Sequence, residues 1–93
     1  MDTEQRVYAK ASGRVQGVGF RYFCRATARR LEVTGWVRNL PRGDVEMEAQ
    51  AAPDVLEEFL GDIRTGCGGA FVKELKVTDV PVEKGEEGFE IKF

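Results

Sequence analysis

The sequence predicts an α+β fold with two helices on one face of a mostly antiparallel sheet. Two observations carry this. Short runs alternate apolar and polar residues between glycine or proline breaks, the pattern of half-buried strands. Two longer stretches repeat their apolar residues at helical spacing instead. The resulting order, β-α-β-β-α-β plus a short terminal strand, is the split-βαβ or ferredoxin-like plan.

"RVYAKAS" opens the pattern as a strand, with Val7, Ala9 and Ala11 on one face and Tyr8, Lys10 and Ser12 on the other. A glycine-rich bend follows. "FRYFCRATARRLE" then sets Phe20, Phe23, Cys24, Thr27, Ala28 and Leu31 at helical spacing until Gly35 breaks the pattern. "TGWVRNL" reads as a strand, "PRGD" as a turn, and "VEMEAQA" as a strand with Val45, Met47 and Ala49 on one face. Pro53 suits the first turn of a helix over 54–64, with Val55, Leu56, Phe59, Leu60 and Ile63 turned inward. "TGCGG" ends that helix. "AFVKELKVTDV" alternates imperfectly, as a bulged strand does. An acidic loop, "VEKGEEG", leads to "FEIKF", a final strand with Phe89, Ile91 and Phe93 on one face.

Ninety-three residues suffice for one domain with its own core, spanning 1–93, with residues 1–5 as a short polar tail. The net charge of −2 excludes a polybasic nucleic-acid binder. Charge is uneven along the chain: residues 1–50 carry nine basic and six acidic side chains, residues 51–93 five and ten. No apolar run is long enough to span a bilayer, and the polar start lacks the basic-then-apolar pattern of a secretory signal. A cytoplasmic protein is expected. Two cysteines and no histidine cannot assemble the usual zinc spacings, so no metal site is expected. The lack of histidine also removes the common general base near neutral pH. Cys24 and Cys67 read as plain thiols, although the sequence leaves a disulfide between them open.

The bend "GRVQGVGFR", residues 13–21, is the first candidate site. A helix beginning near Phe20 leaves amide N–H groups unpartnered and carries partial positive charge at its start. Arg21 adds a full positive charge where a cation is disfavoured unless an anion compensates it. Glycines upstream allow consecutive N–H groups to curl into a nest. Nest, helix start and arginine together suit a tetrahedral oxyanion such as phosphate. The residues alone are equally served by a plain turn beside a surface arginine. Asn39, at the end of "GWVRN", is likewise either a turn-former beside Pro41 and Gly43 or an amide free to orient a ligand.

Three familiar signatures fail in this stretch. "QGVGFRYF" follows the RNA-binding RNP1 pattern only in part: Val18 stands where an aromatic ring would stack, and the segment follows the first strand rather than lying on a later one. Cys24 and Arg30 have cysteine-phosphatase spacing, but six helical residues turn a side chain by about 600°, which points the two apart. Neither G-x-G-x-x-G nor the Walker pattern is present.

Taken together, "GRVQGVGFR" and "GWVRN", fourteen residues apart from Arg21 to Gly35, resemble the motifs of the acylphosphatase family. The length, the element order and the "GFEI" ending also fit. The resemblance implies a ferredoxin-like enzyme that hydrolyses the carboxyl–phosphate bond of acyl phosphates with no cofactor. By motif position, Arg21 would bind the phosphoryl group, the loop Gln16, Gly17, Val18, Gly19 and Phe20 would supply backbone amides, and Asn39 would position the attacking water. Gly19 stands where relatives often carry a bulkier residue, and "TGCGGAF" is unusually glycine-rich. The implied partners are a small acyl phosphate and its product, inorganic phosphate, with no nucleic acid and no membrane, and the implied state is a monomer. Related modules begin much longer carbamoyl-transfer enzymes; a chain ending at Phe93 favours the small enzyme.

Overall fold

A computed structural model describes residues 3–93. Strand β1 (Gln5–Arg14) leads to helix α1 (Phe20–Leu31), strands β2 (Thr34–Asn39) and β3 (Val45–Ala51), helix α2 (Pro53–Thr65), and strands β4 (Phe71–Val80) and β5 (Phe89–Ile91). The strands form one sheet in the order β4-β1-β3-β2-β5. All pairings are antiparallel except β2 with β5. This is the expected split-βαβ arrangement, with β3 inserted between β1 and β2.

The core lies between the sheet and the helices. Val7, Ala9 and Ala11 of β1, Val37 of β2, and Val45, Met47 and Ala49 of β3 are buried on the side facing the helices. Cys24 and Ala28 of α1 and Leu56, Phe59 and Ile63 of α2 meet them. Phe59 packs against Phe89 of β5 with ring centroids 5.9 Å apart, joining α2 to the far edge strand. Small residues on β1 leave room for the helices to approach, and the larger rings fill the layer between them.

Several boundaries differ from expectation. Helix α1 stops at Leu31, because Glu32 takes the left-handed conformation at φ 58° and its N–H closes the last turn. Gly35, which breaks the helical pattern, sits inside β2, within the expected strand "TGWVRNL". A Cβ there would collide with the carbonyl of Glu48 on β3, so glycine permits a close strand approach. Strand β1 takes in Gln5, the last residue of the expected polar tail, while residues 1–2 of that tail lie outside the described residues. The bulge is real and lies in β4: Ser12 pairs with Glu74 but Gly13 pairs with Val72, leaving Lys73 as the extra residue. Both cysteines are free thiols.

Arg6 was an unremarked strand residue in the sequence, yet its side chain is fully buried on the sheet face away from the helices. Its Nε donates to Glu48 at 2.7 Å, and its two terminal nitrogens hold both carboxylate oxygens of Glu86 at 2.7 and 3.1 Å. Gln50 exchanges side-chain hydrogen bonds with the backbone of Glu83, both at 2.8 Å. The chain between β4 and β5 must cross the end of the sheet from one edge to the other. Arg6 and Gln50 pin that crossing, and every buried polar side chain among the described residues has a partner.

Candidate active site

The topology gathers the motifs at one end of the sheet. β1 and β2 are both antiparallel to β3, and β5 is parallel to β2, so β1, β2 and β5 all run the same way. Their C-terminal ends share one edge. There β1 passes into the bend that starts α1, β2 ends at Asn39, and β5 runs out toward Phe93. β4 begins at the same edge, where Phe71 pairs with Arg14.

The bend is held at both ends and open between them. Val15 and Phe20 are each 1% exposed, so both are anchored in the core. Gly17 and Gly19 take left-handed conformations at φ 73° and 79°, which other residues rarely adopt. A Cβ at either would meet nothing within 4 Å, so backbone conformation rather than crowding calls for glycine. Gly19 caps α1 with no side-chain hydrogen bond, and no acidic residue stands in the first turn. The leading amides of α1 therefore have neither a capping oxygen nor a carboxylate, and that helix end retains its partial positive charge.

Gln16 has a role the sequence did not reveal. Its Nε2 donates to the carbonyls of Leu40 at 2.7 Å and Asp44 at 2.8 Å. These carbonyls belong to the β2–β3 turn, which Leu40 N–H to Asp44 O also closes at 2.8 Å. The amide thus ties the bend to the residue next to Asn39. Asn39 itself is exposed at the end of β2, on the row that Val37 occupies deep in the core. The clamp brings the turn that follows Asn39 to the bend.

Arg21 is half-buried in the first turn of α1. Its guanidinium lies over the ring of Phe93, 5.1 Å from the centroid. The sequence assigned Phe93 only to the apolar row of the final strand. The glycine-rich turn after α2 also reaches the bend, since a Cβ on Gly69 would sit 3.7 Å from Val18. On the open sheet face, Arg38 and Lys92 flank Trp36 at 5.3 and 4.6 Å. There burial pushes the Glu46 carboxyl up, but hydrogen bonds from Tyr8 and Arg38 outweigh it and hold it below its ordinary range. Tyr8 is pushed up to about 12 by burial and by that bond to Glu46.

The discarded signatures stay discarded. Cys24 is fully buried and burial pushes its thiol up, the reverse of an activated thiolate, while Arg30 pairs with Asp62 on α2. "QGVGFRYF" forms a bend and the first turn of α1, not a strand presenting rings to a base. No group of three metal-ligating side chains occurs among the described residues. No helix among them is long and apolar enough to cross a membrane.

Residues 7–91 match the acylphosphatase family. An acylphosphatase of Clostridium beijerinckii is 44% identical over 88 residues, which cover 95% of this chain and 98% of that one. An acylphosphatase of Salinibacter ruber is 46% identical over 90 residues, 97% and 95% of the two chains. The crystal structure of acylphosphatase from Bacillus subtilis superposes with a TM-score of 0.91 at 32% identity, covering 96% of this chain and 99% of that one. With nearly full-length sequence matches and the same fold, this chain belongs to the acylphosphatase family, enzymes that hydrolyse acyl phosphates.

Proposed function

We propose that the bend from Gln16 to Phe20 and Arg21 hold the phosphoryl group of an acyl phosphate, and that Asn39 orients the water that attacks it. The observation that carries this reading is the convergence of an uncapped helix start, a glycine bend and an arginine with no ion pair among the described residues, at the sheet end where Asn39 stands. The water oxygen forms a bond to phosphorus while the bond from phosphorus to the acyl oxygen breaks. The carboxylate leaves with that electron pair, and the water proton passes to a phosphate oxygen. A carboxylate whose acid has a pKa of about 4 needs no proton from the enzyme as it departs. The transition state is loose, so positioning and charge stabilisation carry the catalysis. Arg21 and the backbone amides supply the charge term. Asn39 cannot act as a base near neutral pH, but its amide can fix a water in line. On this chemistry the enzyme needs no histidine, metal or cofactor.

The test is continuous hydrolysis of benzoyl phosphate in excess EDTA. Wild type should turn over, Arg21→Ala should lose turnover and bind phosphate weakly, and Asn39→Ala should lose kcat while phosphate still inhibits. Near-wild-type kcat in a folded Asn39→Ala variant would remove Asn39 from the mechanism. We also propose a cytoplasmic monomer, because acyl phosphates are charged, short-lived metabolites that do not cross a bilayer and the site draws its residues from one chain. Light scattering at assay concentration tests the oligomeric state.

A further inference from the structure

We infer that the flank of the bend facing β4 receives the acyl group of the substrate, on an apolar shelf made by Val18, Phe23 and the turn 66–70 after α2. This rests on the reading of the bend as the holder of the phosphoryl group and of Asn39 as the residue that orients water. The bend has two flanks. Gln16 ties one of them to the turn after β2, beside Asn39. Val18 lies on the other, since a Cβ on Gly69 would sit 3.7 Å from its Cγ1. β2 and β4 lie on opposite sides of β1, the strand that enters the bend. In an in-line displacement the attacking and leaving oxygens stand on opposite sides of phosphorus. Water oriented from the Asn39 flank therefore sends the acyl oxygen out on the Val18 flank.

The side chains on that flank are apolar and only partly covered. Val18, Phe23 and Ala70 pack against the core with part of their surface left open. Phe23 lies on the side of α1 toward α2: Arg30, seven residues on and so on the same face, reaches Asp62 of α2 at 2.7 Å. The Phe23 ring stands 6.3 Å from that of Phe20, which anchors the bend. The turn after α2 is tight, with Ala70 N–H donating to the Cys67 carbonyl at 2.6 Å. Gly68 and Gly69, both exposed, put no side chain over the shelf. The acyl chain is the part that differs from one acyl phosphate to another. An apolar shelf stabilises it by taking its methylenes out of water, and offers nothing to a charged acyl group. The substrate class that fits is an acyl phosphate with an uncharged, apolar acyl chain.

The test follows kcat/KM along acetyl, butyryl and hexanoyl phosphate, whose straight-chain carboxylates leave almost equally well, in wild type and in Gly69→Leu. In wild type kcat/KM should rise about twofold for each added methylene, through KM rather than kcat, against roughly fourfold for a methylene buried completely. Gly69 lies outside the left-handed region, and its added Cβ would meet Val18 at an ordinary contact distance, so the variant should fold. Gly69→Leu should turn over acetyl phosphate and be inhibited by inorganic phosphate as wild type is, yet lose the gain with chain length. A flat series in wild type would overturn the inference, as would an undiminished series in the folded variant. Weakened phosphate inhibition in Gly69→Leu would also overturn it, by making the turn a prop for the bend. Turnover of acetyl phosphate by wild type and its loss in Arg21→Ala report separately on the underlying reading; if these fail, the inference falls with it.

Discussion

Gln16 clamps the turn that follows Asn39: its side-chain amide donates to the carbonyl of Leu40 at 2.7 Å, and to that of Asp44 at 2.8 Å. One side chain thereby sets the distance between the bend proposed to hold the phosphoryl group and the strand end proposed to hold the water. Gln16→Ala should cost about 1 kcal/mol for each hydrogen bond lost and lower kcat severalfold through slack between the two halves. Gln16→Glu should be worse, since a carboxylate would face two carbonyls with no proton to offer. Urea midpoints and kcat on benzoyl phosphate measure the two effects.

Arg21→Lys tests whether geometry or charge alone is needed. Lysine keeps the positive charge but loses the planar fork that matches two phosphate oxygens. Losing one charge-assisted hydrogen bond of about 1.5–3 kcal/mol predicts a fall in kcat/KM of about tenfold or more. Activity equal to wild type would mean that the bend needs only a nearby cation.

Gly19→Ala separates backbone conformation from space. The position is left-handed at φ 79° and a Cβ would meet nothing within 4 Å. The substitution should therefore cost about 1–2 kcal/mol from the conformation alone. Phosphate inhibition should weaken as well if the bend relaxes to avoid the strain. Chemical denaturation and phosphate inhibition read these separately.

Arg6 should dominate the stability of the open sheet face. Its fully buried guanidinium holds Glu48 and Glu86, so Arg6→Ala leaves both carboxylates without their cation. A loss of about 3–5 kcal/mol is expected, visible as a large drop in melting temperature. Because Arg6 lies at the opposite end of β1 from the bend, kcat at a temperature where the variant is folded should barely move.

Acid should unfold the protein partly through Glu86. Burial pushes this carboxyl up, but the hydrogen bond and charge of Arg6 prevail and hold it below its ordinary 4.5. Its folded pKa is depressed, so its contribution is fully present above the unfolded value and is lost as pH falls from about 4.5 through the folded pKa. Melting temperature should decline over that acid range in wild type and decline less steeply in Glu86→Gln. Equal slopes would assign the acid loss to other carboxylates.

Much of this was readable before any coordinates. Alternation placed β3 at its observed ends and β1 to within two residues, and helical spacing placed Phe59 and Ile63 of α2 in the core. Those signals are local: a period of two or of 3.6 records which face of an element meets water. The glycines of "GRVQGVGFR" were also legible, because their left-handed backbone conformation demands that residue type. Helix α1 ends one residue short of the stretch "FRYFCRATARRLE", since its last residue, Glu32, takes the left-handed cap.

The sequence by itself determined the elements, their order, and the two motifs that mark the family. Only the tertiary structure decided what Gln16 and Arg6 do, since each acts on a residue at least 24 positions away in the chain. No period or spacing encodes such a contact. It arises because β1, β2 and β5 run the same way in one sheet, which brings their ends, and the residues just beyond them, to a single edge.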